Sequence, residues 1–91
     1  MAAKMTRIYG KVQGVNYRSA MQDEAFRIGL SGWVRNRRDG TVEAYLCGTP
    51  QAIERMLDWA RSGPPLARVD KVEALDATEY PAGDFEVLAD A

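Results

Sequence analysis

The order in which strand-type and helix-type segments follow one another is the feature of this sequence that most restricts its fold. Apolar residues at every second position indicate strands, and apolar residues three to four positions apart indicate helices. Both patterns occur here, in the order strand, helix, strand, strand, helix, strand. The predicted segments are, in chain order, strand 7–12, helix 17–28, strand 30–36, strand 41–47, helix 50–62 and strand 67–75.

Short turn and capping signals mark the ends of these segments. Asp39 and Gly40 predict a hairpin turn between two strands, because glycine tolerates the positive φ that such a turn requires. Thr49 is expected to cap the second helix, and Pro50 suits its first turn. Gly29 is a natural C-terminal stop for the first helix.

The last part of the chain is less regular. Val69 and Val72 have opposite parity within one extended segment, which predicts a β-bulge or a late strand start. A loop is expected over 77–84 and a further short strand over 85–88. The segment order predicts an α+β fold, a ferredoxin-like βαββαβ sandwich in which one antiparallel sheet carries both helices on one face. The length of the chain predicts a single domain over 1–91.

The residue composition excludes several kinds of chemistry. The sequence has no histidine, which rules out a Ser-His-Asp triad, a Cys-His pair and a histidine zinc ligand. Its single cysteine, Cys47, cannot form an internal disulfide and is expected to be a small core or interface residue. Any catalysis must therefore use carboxylates, Arg, Lys, amides, hydroxyls or backbone groups. We expect no metal and no cofactor.

Charge and hydropathy restrict the partners. Twelve basic and thirteen acidic residues give a formal net charge of -1, without the basic excess typical of nucleic-acid-binding domains. No stretch approaches the roughly 18–20 apolar residues of a membrane span, and the first residues do not resemble a signal peptide. We therefore expect a cytoplasmic monomer that binds neither nucleic acid nor a membrane.

The segment 10–18 passes from a strand through a glycine-bearing turn into a helix. Backbone N–H groups in such a turn and in the first helical turn lack partners inside the helix and can bind an anion. Gly14 has no side chain to obstruct that approach. Arg18 would oppose the helix dipole, an arrangement that makes sense if a bound anion neutralises both charges. From these residues alone, an anion site and an ordinary loop with a solvated arginine both remain open.

Two blocks of the sequence closely resemble the acylphosphatase family. The first is GKVQGVNYR at 10–18, and the second is AFRIGLSGWVRN at 25–36, followed by DGTVE at 39–43. The resemblance continues through Gly48, Gly63, the segment 68–73 and the closing Phe85-x-Val87. It covers essentially the whole chain, and the first two blocks together are specific.

The resemblance implies a small ferredoxin-like enzyme whose substrate is a small molecule, an acyl phosphate. The enzyme would hydrolyse it to a carboxylate and phosphate. It implies that Arg18 binds the phosphoryl group with the help of loop N–H groups, and that Asn36 orients the attacking water. The implied phosphate-binding loop consists of Gln13, Gly14, Val15, Asn16, Tyr17 and Arg18. Because Asn36 shares parity with Val34, its side chain should point toward the helices.

Some residues depart from the family pattern or allow other interpretations. Phenylalanine is commoner than tyrosine at position 17, and Asn16 occupies a variable position where its side chain could cap the first helix. Phe26 lies opposite the apolar stripe of that helix, so it is expected to be exposed or to contact a partner. The basic cluster of Arg35, Arg37 and Arg38 could attract anionic substrates or could simply be a solvated hairpin.

Two other functions compete with the enzyme. A noncatalytic ferredoxin-like module could bind RNA or a small anionic ligand, with Trp33 and Tyr45 on the sheet face away from the helices, but the aromatic-rich RNA-recognition signature is missing. An acylphosphatase-like domain can also serve carbamoyl-phosphate chemistry in hydrogenase maturation. Such a domain belongs to a far longer chain, so the length favours the independent enzyme.

Overall fold

The strands of this protein lie side by side in one sheet that carries two helices. The computed structural model describes residues 1–79 and 83–91. Within those residues the elements are β1 (Ala2–Lys11), α1 (Tyr17–Ile28), β2 (Ser31–Asn36), β3 (Val42–Gly48), α2 (Pro50–Ala60), β4 (Arg68–Asp76) and β5 (Phe85–Val87). The predicted α+β order is confirmed, and β1 begins earlier than predicted because residues 2–6 pair with β3.

The sheet has the strand order β4-β1-β3-β2-β5. The pairs β4-β1, β1-β3 and β3-β2 are antiparallel, as predicted. The prediction of a fully antiparallel sheet was wrong for β5, which lies parallel to β2. β4 and β5 are the two edge strands of the sheet. The chain reverses its direction between them, and because β2 also runs opposite to β4, β5 pairs with β2 in parallel. Residues 80–82 of the predicted loop 77–84 lie outside the described residues.

The core lies between the helices and one face of the sheet. In β2 and β5 the residues on this face include Val34 and Phe85, which are fully buried, and α2 contributes a stripe headed by Ile53 and Met56. The predicted caps are confirmed: the Thr49 hydroxyl accepts a hydrogen bond from the Ala52 N–H at 3.1 Å, and Gly29 ends α1 with φ at 78°.

The predicted irregularity in β4 is a β-bulge. Tyr9 of β1 faces Lys71, whereas the next residue, Gly10, faces Val69, so Asp70 is the extra residue. The bulge keeps both Val69 and Val72 on the helix-bearing face, where they pack against the core.

The opposite face of the sheet carries a smaller apolar cluster. Tyr45 and Cys47 are buried there, and the Trp33 ring stacks beside Tyr45 at a centroid distance of 6.4 Å. The Tyr45 hydroxyl donates a hydrogen bond to the Thr78 carbonyl. Phe26 is 58% exposed on α1, as predicted. Neither described helix is both long and apolar enough to cross a membrane.

Candidate active site

The loop between β1 and α1 presents free backbone N–H groups. Gly14 has φ at 74° and Asn16 has φ at 66°, so the chain turns twice through the left-handed region before α1 begins. Among residues 1–79 and 83–91, no N–H group from Gln13 to Ser19 donates to a backbone oxygen; the first such bond is from Ala20 to the Asn16 carbonyl, at 3.2 Å. These N–H groups are therefore available to an anion.

Arg18 and Asn36 reach the same pocket from different elements. Arg18 lies in the first turn of α1, and Asn36 is the last residue of β2. The pocket has a volume of about 180 Å³. It is lined by Val12, Gly14, Asn16, Tyr17, Arg18, Ser19, Asn36 and Val87.

The side chain of Asn36 is oriented as the strand parity predicts. The residue is 7% exposed, on the helix-bearing face of β2. Its Oδ1 atom is buried and has no hydrogen-bond partner in the part of the chain that the structure describes. A buried amide oxygen without a partner is costly in an ordinary core. In this pocket it is an acceptor that a water molecule or a substrate group can satisfy.

The remaining residues of the predicted loop have different positions. Gly14, Asn16 and Tyr17 line the pocket together with Arg18. Val15, in contrast, is buried in the main core, and the Gln13 side chain bonds to the β2–β3 hairpin. These two residues can therefore contribute only their backbone N–H groups to an anion site in the loop.

The prediction that the Asn16 side chain could cap α1 was wrong. Asn16 occupies the N-cap position, but its side chain makes no capping hydrogen bond. Side-chain caps are formed from the extended region of φ and ψ, whereas Asn16 adopts the left-handed conformation, with φ at 66° and ψ at 28°. The residue therefore contributes to the turn of the loop through its backbone.

Sequence reasoning missed the contribution of the C-terminal residues. Beyond β5, the Leu88 N–H donates to the Val34 carbonyl, and the Ala91 N–H donates to the Asn36 carbonyl at 2.9 Å. This pairing brings Asp90 close to Arg18, so that its carboxylate lies 3.2 Å from the guanidinium. A contact between residues that are far apart in sequence leaves no local signal in the sequence. The strand predicted over 85–88 indicated in part that this end of the chain joins the sheet.

The hairpin that follows Asn36 has its own charge network on the other sheet face. Glu43 accepts hydrogen bonds from Arg35, Arg37 and Arg7 at 2.8, 3.3 and 3.4 Å. Burial opposes ionisation of Glu43, but the Arg35 hydrogen bond and the three arginine charges hold the pKa of this carboxyl below its usual value. Of the predicted basic cluster, Arg35 and Arg37 are thus paired, and Arg38 is exposed.

Comparisons with known proteins agree on one family. The family model described as Acylphosphatase matches residues 4–87. An acylphosphatase from Azoarcus sp. strain BH72 is 51% identical over 88 residues, which cover 97% of this chain and 90% of the relative. The crystal structure of acylphosphatase from Bacillus subtilis superposes with a TM-score of 0.94 at 29% identity, covering 97% of this chain and 99% of that one. An acylphosphatase structure from Coxiella burnetii gives a TM-score of 0.92 at 33% identity, covering 96% of this chain and 92% of that one. By its sequence and by its fold, the chain belongs to the acylphosphatase family.

Proposed function

We propose that this enzyme hydrolyses acyl phosphates in the pocket shared by Arg18 and Asn36. The observation that carries the proposal is that three features line one small cavity: a guanidinium, a buried amide oxygen and a loop of N–H groups, the latter two without a hydrogen-bond partner among the described residues. Each element alone is commonplace. Together they supply charge complementarity for a phosphoryl group and an acceptor for water.

Arg18 and the loop would bind the phosphoryl group. Phosphoryl transfer depends mainly on positioning and on stabilising charge on the equatorial oxygens. The planar guanidinium of Arg18 matches phosphate oxygens in pairs. The N–H groups between Gly14 and Ser19 add dipoles that are already oriented before substrate binds.

Asn36 would orient the attacking water through its side-chain amide. The water oxygen forms a bond to phosphorus while the bond from phosphorus to the acyl oxygen breaks. The carboxylate leaves with the bonding electron pair, and a phosphate oxygen of the substrate accepts the proton. Because a carboxylate is a good leaving group, the reaction does not require a strong general acid, which agrees with a sequence that has no histidine.

Hydrolysis of benzoyl phosphate, followed by absorbance without added metal and in the presence of a chelator, tests this function. Arg18→Ala and Asn36→Ala should each lower kcat/KM by about 100-fold or more, the usual effect of removing a transition-state donor. Arg27→Ala is the matched control, because Arg27 is an exposed arginine of the same helix that pairs with Glu24. Circular dichroism verifies that each variant is folded.

The outcomes separate the enzyme from the competing binding module. Undiminished turnover in a folded Arg18 or Asn36 variant would remove that residue from the mechanism. No turnover by the wild type would favour a module that binds a small anionic ligand or RNA. Inorganic phosphate should compete with substrate and raise the Tm.

We also propose that the chain acts as a monomeric single domain, residues 1–91, in the cytoplasm, without a nucleic-acid partner. Strands from both ends of the chain belong to one sheet, which supports a single domain. The net charge of -1 gives no general attraction to nucleic acid. Light scattering and a gel-shift assay with RNA test these expectations.

A further inference from the structure

The Gln13 side chain connects the phosphate-binding loop to the hairpin that follows Asn36. Its Nε2 atom donates to the Arg37 carbonyl at 2.7 Å and to the Thr41 carbonyl at 2.9 Å. These two carbonyls lie at the two ends of the β2–β3 turn, where the Arg37 N–H also donates to the Thr41 carbonyl at 2.8 Å. One primary amide therefore spans both sides of the turn from the neighbouring loop.

This connection matters because the acceptor atom of the Asn36 side chain, Oδ1, makes no hydrogen bond within residues 1–79 and 83–91 that would hold it. The direction of the amide therefore depends on the backbone at the end of β2. That backbone is held at the Asn36 carbonyl by the Ala91 N–H and, one residue later, at the Arg37 carbonyl by Gln13.

We infer that Gln13 is a positioning residue, which fixes the Asn36 amide relative to the phosphate-binding loop. The inference rests on the proposed role of Asn36 and goes beyond the backbone role expected for Gln13. The NH₂ group suits this place because it offers two protons to two carbonyls and carries no charge. A misplacement of about 1 Å between water and phosphorus can cost about 100-fold in rate, so a broken connection is expected to be visible in kcat.

Gln13→Glu is the most direct test, since it keeps the shape of the side chain and removes both protons. The carboxylate would face two carbonyl oxygens, so the hairpin should move away from the loop. We expect kcat for benzoyl phosphate to fall by about 10- to 100-fold. In Gln13→Met, which also lacks the donors but adds no negative charge beside the loop, the inhibition constant of inorganic phosphate, which reports on Arg18 and the loop N–H groups, should change by no more than about threefold.

Gln22→Glu is the matched control. The Gln22 side chain also donates from Nε2 to a backbone carbonyl, that of Phe85, at 2.9 Å and with similar partial burial. This variant loses an equivalent hydrogen bond on α1, outside the lining of the pocket, and should keep the wild-type kcat. Gln13→Met also replaces Gln13→Glu in the comparison of kcat if the latter fails to fold.

A double-mutant cycle with Asn36→Ala shows whether Gln13 affects kcat through Asn36. If Gln13 acts through Asn36, its substitution should change kcat less than twofold once the Asn36 amide is absent. The same 10-fold or larger loss in that background would overturn the inference, as would a parallel loss of phosphate affinity in Gln13→Met. Full activity of Asn36→Ala alone would instead refute the proposed role of Asn36, on which the inference rests, so the two failures are distinguishable.

Discussion

The Asp90 carboxylate lies 3.2 Å from the guanidinium of Arg18, a residue that lines the candidate active site, measured from Oδ1 to Nη1. The two residues are 72 positions apart and are joined by the pairing of the C-terminal residues with β2. Both side chains are accessible, at 35% and 66% exposure. In the proposed mechanism the carboxylate would therefore compete with an incoming phosphoryl group for the same guanidinium.

Asp90→Asn should improve phosphate binding. The substitution removes a competitor for Arg18 and a negative charge that repels the substrate, and both effects act in the same direction. Exposed ion pairs contribute about 0.2–1 kcal/mol, so we expect the KM for benzoyl phosphate and the inhibition constant of phosphate to fall by about two- to fivefold. Glu86→Gln, at an exposed carboxylate of β5, should change neither value. A rise in KM would mean that Asp90 holds Arg18 in its productive position.

Glu43 should make the stability of the protein depend on pH in the acid range. Its pKa is lowered in the folded state, so its contribution is complete above the ordinary glutamate pKa and is lost as the pH falls through the lower, folded value. Glu43→Gln should lower the free energy of unfolding at pH 7 by about 1–3 kcal/mol, since three arginines lose a charged acceptor. The difference between variant and wild type should shrink with acidification.

Urea unfolding between pH 7 and pH 3 measures this dependence. Glu54→Gln, at an exposed carboxylate of α2, is the control and should follow the wild-type curve. An equal difference between wild type and Glu43→Gln at all these pH values would mean that Glu43 stabilises the hairpin by packing and not by its charge.

Tyr17→Phe should destabilise the contact between α1 and α2. The Tyr17 hydroxyl is buried and donates to the Ala60 carbonyl at 2.7 Å, and burial raises the pKa of this phenol well above its ordinary value. Loss of the hydrogen bond should lower the free energy of unfolding by about 0.5–1.5 kcal/mol. Tyr9→Phe is the control, because its hydroxyl bonds to Glu73 at the surface, where water replaces it. An unchanged Tm in Tyr17→Phe would contradict the expectation.

Local sequence signals were sufficient for the order of the elements, but not for the pairing of β5 and only for part of the site. The hairpin at Asp39 and Gly40 was predictable because positive φ selects glycine, and it already implies the cross-strand pair of Arg35 and Glu43. The parallel pairing of β5 was not predictable, because a three-residue strand can join either edge of a sheet equally well by its own pattern.

The same division applies to the residues of the pocket. Arg18 and Asn36 were predicted from motifs, and the parity of β2 gave the direction in which Asn36 points. Val87 reaches the pocket, and Asp90 reaches Arg18, through tertiary pairing, which has no sequence period. The Gln13 side chain turns to the hairpin because two carbonyls there accept its hydrogen bonds. The positions of these carbonyls are set only when the backbone has folded, so the sequence does not indicate them.

Gly14→Ala should show whether phosphate binding depends on the backbone conformation of the loop. Gly14 has φ at 74°, and a Cβ atom at this position would meet no other atom within 4 Å, so the backbone conformation is the obstacle. Holding an L-residue in the left-handed region costs about 1–2 kcal/mol. The loop should relax to a negative φ at this residue, and the N–H groups would then no longer converge on the phosphate.

Gly29→Ala is the matched control for this strain. Gly29 has φ at 78° and equally open surroundings, but it ends α1 away from the pocket. Both variants should therefore lose about 1–2 kcal/mol in the free energy of unfolding, whereas only Gly14→Ala should bind phosphate more weakly, as measured by competition with benzoyl phosphate. If Gly14→Ala is destabilised like Gly29→Ala and still binds phosphate as the wild type does, the loop N–H groups are not the anion site and Arg18 alone must bind the phosphoryl group.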